Sequence, residues 1–249
     1  MGLIDARFAK WATGFSGCDG GDIGSPKSRS IWFCGIEWGG GYPDDVKKLQ
    51  DDVFTENVEK PAVGYIDNNM MPAWKANLDY IFNWQAMKLL AAIHGQQTST
   101  YKSFAEEVKP FVKDEIGYYK LNLYPLAFKN TSYILWKDGV AKATGFETKQ
   151  EYIDWIKMCR FPIMKSWTDS YAPKLIVCAG ITYSSDFKMA FVDDGLEWTR
   201  ETHDERELLW VVNKNRTTVV VIPFMVNPNG LVKNISIQKF GDRIHEIIS

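Results

Sequence analysis

A carboxylate stands where an apolar run meets bare backbone. Residues 31–45 read IWFCGIEWGGGYPDD, so Glu37 follows six residues suited to a buried strand and precedes Trp38 and three glycines. A charge at the end of a buried strand is costly unless it is used. A carboxylate there can orient a water, act as a general base or stabilise a developing cation. The competing role is a loop cap accepting hydrogen bonds from glycine amides. Ile36, Trp38 and Gly39 flank Glu37, and residues without side chains leave room for a ligand and let amides approach it. A second polar group is Asn227-Pro228-Asn229-Gly230-Leu231, followed by Lys233 and Asn234. A third is Asn122 in LNLYP (121–125), whose amide offers both a donor and an acceptor. Asparagine and glycine also dominate ordinary turns, so the last two groups are weaker signals than Glu37.

Other chemistries lack their residues. There is no GK[ST] phosphate loop, HExxH pair or G-x-S-x-G elbow. The glycine-rich GFSGCDGGDIGSPKS precedes the first strand-like run, which excludes a dinucleotide fingerprint. Cys18, Cys34, Cys159 and Cys178 have no metal spacing and read as reduced structural thiols. His94 reads as a helix end, where a cation suits the dipole, and His203 in RETHDERE as a surface loop. No metal or cofactor is expected. The net charge of −2 excludes a protein coated in positive charge. The stretch from Asn213 to Gly241 nevertheless carries Lys214, Arg216, Lys233 and Lys239 and no acid, the pattern of a local basic face.

The elements that must position these residues follow from periodicity. SIWFCGI (30–36), YYKLNLYPL (118–126), KLIVCAG (174–180) and TTVVVIPF (217–224) are apolar runs without clean alternation, as in strands buried on both faces of a parallel sheet. LLWVV (208–212) before TTVVVIPF suggests an antiparallel edge hairpin. Helical spacing fills the gaps: a long helix from Pro72 to Gly95, then KSFAEEVKPFVKDE, KQEYIDWIKMCRFPIMKSW, SSDFKMAFVDD and NISIQKFGDRIHEII. The expected fold is a single α/β domain over residues 1–249. It is a three-layer α/β/α sandwich on a mainly parallel four-stranded sheet with an added edge hairpin. Residues 1–29 are expected to be an irregular glycine-rich segment packed on it. In such sheets ligands bind at the carboxyl ends of the strands, where Glu37, Asn122 and Asn227 all fall.

The order of these landmarks resembles the uracil-DNA glycosylase superfamily. GIEWG (35–39) stands where that superfamily has its first motif. LNLYP stands where its base-reading strand lies, LIVCAGITYSSDF (175–187) resembles its third strand and following helix, and VNPNGLVKN (226–234) is similar to its second motif. The style is that of the mismatch-specific branch, in a divergent member: Glu37 replaces the usual Asp or Asn, and Trp38 the usual Pro. The resemblance implies a DNA glycosylase that flips a damaged, mismatched or 5-modified pyrimidine out of the helix and hydrolyses its N-glycosidic bond. Such an enzyme would serve in base-excision repair or phage defence. It assigns catalysis to Glu37 and Asn227, base binding to Asn122, Trp38, Gly39 and Ile36, and DNA contacts to Asn229, Gly230, Leu231, Lys233 and Asn234. Leu231 is then the wedge that fills the emptied stack.

Two other readings use the same residues. One is a hydrolase or transferase acting on free nucleosides or nucleotides, which needs neither a basic face nor a wedge. The other is a non-catalytic DNA-binding module. The expected partner is DNA, single- or double-stranded, for a monomer. No run is apolar enough to cross a bilayer and no signal peptide is evident, which makes the expected location cytoplasmic.

Overall fold

The structure is a computed structural model that describes residues 3–42 and 44–249. Met1 and Gly2, at the head of the expected irregular segment, and Pro43, within the motif around Glu37, lie outside the described residues. The strands are β1 (Cys18–Gly21), β2 (Ile31–Gly35), β3 (Tyr118–Asn122), β4 (Leu175–Ala179), β5 (Thr199–His203), β6 (Arg206–Val212) and β7 (Thr218–Ile222). The helices are α1 (Ala6–Ala12), α2 (Val46–Asp51), α3 (Ala76–Asp79), α4 (Ile81–Ile93), α5 (Tyr101–Val108), α6 (Asp138–Thr144), α7 (Lys149–Cys159), α8 (Phe161–Tyr171), α9 (Ser184–Phe191) and α10 (Asn234–Ile248).

All seven strands join one mixed sheet in the order β1-β3-β2-β4-β7-β6-β5. The pairs β3/β2, β2/β4 and β4/β7 are parallel, and these four strands arise from the four unalternating apolar runs. β2, β4 and β7 are buried at every residue, because helices cover both faces. On one face Trp32, Cys34, Leu121, Cys178 and Val221 pack with Phe8, Tyr152, Phe161 and Phe187. On the other, Phe33, Val177, Val220 and Ile222 pack with Leu89, Leu90, Phe104 and Phe240.

The sheet is larger than the expected four strands and a hairpin. Within residues 1–29, expected to be irregular, α1 and β1 form, and β1 pairs antiparallel with β3. Glycine weakens a strand locally, but Gly20 sits where an added Cβ would lie 2.3 Å from the Ala62 carbonyl oxygen, so close backbone packing requires it. The edge arm also gains a strand. His203, expected in a surface loop, is in β5, paired with β6 and hydrogen-bonded at 2.9 Å to Glu201.

Two long helices divide. The expected Pro72–Gly95 helix breaks at Tyr80, which is extended (φ −114°, ψ 146°), and the Asn83 amide takes over the Ala76 carbonyl at 3.0 Å. The expected helix across 149–167 splits at Arg160, because Pro162 lacks the N–H that would continue the ladder. Arg160 is fully buried and donates to the carbonyls of Leu123, Ala12, Gly14 and Ser16 and to the Ser16 hydroxyl, which ties α8 to the N-terminal segment. His94 does cap α4, but its ring Nε2 lies 2.5 Å from the Tyr118 hydroxyl and burial lowers its pKa. Burial thus works against the cation expected at this helix end. Among the described residues no helix is long and apolar enough to cross a membrane.

Candidate functional site

Past the end of β2 the chain keeps running beside the segment that follows β3. Leu123 N–H donates to the Gly35 carbonyl (3.1 Å), Tyr124 to Ile36 (2.9 Å) and Phe128 to Trp38 (3.0 Å). These bonds hold Glu37 just past the carboxyl end of β2, an inner strand of the parallel run β3-β2-β4-β7. Below it, Ile36 is buried and fills the space above Gly180, where a Cβ would lie 2.7 Å from the Ile36 Cδ1.

The Glu37 carboxylate does not cap the glycines. Lys149 Nζ donates to both of its oxygens, at 3.3 Å to Oε1 and 3.1 Å to Oε2. The two side chains are only 6% and 2% exposed. The Nζ also lies 4.0 Å from the centroid of the Phe128 ring, a cation–π contact. Burial pushes the Glu37 pKa up to about 7, against the opposing pull of the Lys149 charge. Burial also lowers the Lys149 pKa, partly offset by Glu37. Desolvation thus outweighs mutual attraction in both partners, as expected for a buried ion pair. Tyr183, half-buried just beyond β4, has its hydroxyl pushed up by burial, with the nearby Glu37 charge adding to the effect.

Lys149 was not among the residues singled out from the sequence, yet a signal was present. Thr148 accepts from Glu151 N–H at 3.2 Å and the Glu151 carboxylate accepts from Thr148 N–H at 3.3 Å, a capping box readable as T-x-x-E. That box fixes Lys149 as the first residue of α7. A cation at a helix N-terminus opposes the macrodipole, so Lys149 is there for a reason other than helix stability.

The glycines beside Glu37 are open. A Cβ on Gly39 or Gly40 would meet nothing within 4 Å, and Gly40 and Gly41 have φ of +97° and +83°. Gly40, Gly41, Tyr42, Leu126, Phe128 and Lys129 line a cleft of about 200 Å³. The Trp38 indole N–H is buried without a hydrogen-bond partner among the described residues. It is a free donor one residue from Glu37.

The other expected site residues fare differently. Asn122 is only 5% exposed, and its side-chain amide donates to the Gly17 carbonyl at 3.2 Å. Its Oδ1 fills the space above Gly35, where a Cβ would lie 2.3 Å away. Asn122 therefore ties β3 to the N-terminal segment through one of its two amide donors, and its burial leaves the other little access to a ligand. Leu231, expected to be an exposed wedge, is 0% exposed and belongs to the core cluster with Met225, Ile237 and Phe240. The turn around it folds inward: Leu231 N–H donates to the Phe224 carbonyl (2.9 Å) and Gly230 N–H to Asn227 (2.9 Å). The turn-type neighbours marked the loop as surface, but its one leucine points into the core.

Asn227, Asn229, Lys233 and Asn234 are exposed, and Gly230 is buried. β4 separates β7 from β2, so the two strand ends are two spacings apart, on the order of 10 Å. The 213–241 stretch is acid-free in sequence but not in space. The Asp204 carboxylate accepts from Ser236 and pairs with Arg206 (3.3 Å) and Lys239 (3.7 Å). Part of the expected basic face is neutralised there. Among the described residues no group of three His, Cys, Asp or Glu is placed to hold a metal ion.

No protein-family model matches the chain, and no curated protein matches it in sequence.

Proposed function

We propose that this protein hydrolyses an N-glycosidic bond, with Glu37 as the catalytic carboxylate and a base carried by DNA as the leaving group. One observation carries the reading: a carboxylate almost withdrawn from water, just past the carboxyl end of an inner parallel strand and three residues before the glycines of an open cleft, tied to a lysine whose amine rests on Phe128 of that cleft's wall. The parallel run β3-β2-β4-β7 supports it, being the arrangement implied by a uracil-DNA glycosylase-like three-layer sandwich. Cleavage of the bond leaves cationic character on the sugar and negative charge on the base. Glu37 stabilises the former and orients the attacking water. In this reading the unpartnered Trp38 N–H, one residue from Glu37, donates to the base in place of the buried Asn122 amide. Asn227, exposed beyond β7, donates to the leaving base as an oxyanion-hole amide does.

With Leu231 in the core, that residue cannot serve as the wedge that fills the emptied stack of an intact duplex. The favoured substrate is a nucleotide already unpaired, carrying a damaged or 5-modified pyrimidine whose substituent enters the space left by Gly39 and Gly40. An abasic-site assay over a panel of modified oligonucleotides tests this, with single strands processed faster than duplexes. Glu37→Gln should bind DNA normally and turn over at least ~100-fold more slowly. Normal turnover by that variant on a confirmed substrate would refute the assignment.

The buried Leu231 and the pairing of Lys239 with Asp204 also favour a second reading, hydrolysis of free nucleosides or nucleotides by the same carboxylate. DNA affinity that falls steeply with salt separates the two, because only phosphate contacts release counterions.

A further inference from the structure

Lys149 is more deeply buried than an orienting group requires. A lysine meant only to hold a carboxylate could lie at the protein surface. This one is 2% exposed, on the first turn of α7 where the helix dipole disfavours its charge. It has one anionic partner, Glu37, at 3.1 Å, and rests on the face of Phe128 at 4.0 Å. A desolvated lysine one hydrogen bond from a carboxylate can pass its proton across and become a neutral amine, the form that attacks carbonyl carbons.

Position matters as much as protonation. If Glu37 stabilises a sugar cation, the anomeric carbon sits about 3–3.5 Å from its carboxylate. The Nζ is 3.1 Å from that same carboxylate, and lysine has a flexible four-carbon stem. The amine and the anomeric carbon therefore share one hydrogen-bonding shell around Glu37.

We infer that the protein has a second activity, cleavage of DNA at an abasic site, with Lys149 as the nucleophile that forms a Schiff base to the anomeric carbon. This rests on the glycosidase reading of the same site. The substrate is the open-chain aldehyde of the abasic deoxyribose. Lys149 gives one proton to Glu37, and the free Nζ lone pair forms an N–C1′ bond while the carbonyl electrons move to oxygen. A second nitrogen-bound proton passes to that oxygen, giving a carbinolamine. Glu37 returns its proton to the hydroxyl, which leaves as water, and an iminium remains. The Glu37 carboxylate then removes a proton from C2′. The electrons form an enamine, which expels the 3′-phosphate together with the electron pair of the C3′–O bond. Water hydrolyses the unsaturated iminium and frees Lys149. The sequence consumes no oxidant or reductant.

The experiment uses an oligonucleotide carrying one preformed abasic site, single-stranded and in duplex, incubated with the full chain in sodium borohydride. Borohydride reduces an imine to a stable amine and records the intermediate as a covalent protein–DNA adduct. The expected result is an adduct whose linkage maps by peptide mass spectrometry to Lys149. It should be absent in Lys149→Arg, which keeps the charge beside Glu37 but forms no such imine. Mapping on the wild-type chain decides the matter even where a variant folds poorly. No wild-type adduct, or an adduct mapped to another amine, overturns the inference. Because the abasic site is supplied ready-made, this outcome is independent of whether any base is released. Failure to find a base substrate would count against the glycosidase reading alone.

Discussion

Replacing Glu37 and Lys149 singly and together probes the centre of the site without knowledge of the substrate. The pair is buried, and removing one partner of a buried ion pair costs roughly 3–5 kcal/mol because the other charge is left uncompensated. Replacing both by neutral groups of similar volume, Glu37→Gln with Lys149→Met, should be close to neutral or stabilising. The pH dependence follows from the same burial. The Glu37 pKa is raised from 4.5 to about 7, so between those values the folded protein holds more protons than the unfolded chain. Stability from this group is therefore fully present below 4.5 and is lost as pH rises through about 7. At about 1.4 kcal/mol per pH unit of displacement, the loss amounts to about 3 kcal/mol. Urea denaturation of wild type and Glu37→Gln from pH 4 to pH 8 gives the contribution as a difference, with the other carboxylates cancelling. The wild type should lose stability relative to Glu37→Gln as pH rises. A flat difference, or a double variant as destabilised as the two singles combined, would refute the account of the pair.

Three further outcomes test the packing around the site. Leu231→Ala should lose roughly 2–5 kcal/mol in denaturant unfolding, as a fully buried leucine does; a change near zero would restore Leu231 as a surface residue. Gly40→Ala should cost about 1 kcal/mol because its φ of +97° strains any side chain, whereas Gly39→Ala, with open space and no such φ, should leave thermal stability unchanged. Arg160→Met should destabilise by at least ~3 kcal/mol, since it orphans the carbonyls of Ala12, Gly14, Ser16 and Leu123 together. Hydrogen exchange should then show α1 and β1 opening first.

The sequence by itself determined the strands at the heart of the sheet. Long unalternating runs such as LIVCA and TVVVI can only be buried on both faces, and β2, β3, β4 and β7 formed where they lie. It also determined that Glu37 ends such a strand, because a carboxylate beside three glycines violates the local pattern. What it could not decide was direction. Turn-forming neighbours say that the chain bends at 227–231, but not whether Leu231 points out or in; that depended on the core cluster it joins with Ile237 and Phe240 of α10 and Ile222 of β7. Asn122 reads as a free amide until Gly17, 105 residues earlier, arrives to accept its hydrogen bond. The glycine-rich start looked irregular because its pairing is not local: β1 is ordered by β3 and by Arg160. Most of all, the partner of Glu37 lies 112 residues away, on the first turn of a helix. Propensity and periodicity act over a few residues, whereas burial of a charge is settled by whatever the fold brings against it. The sequence therefore marked the carboxylate, and only the tertiary structure supplied the lysine.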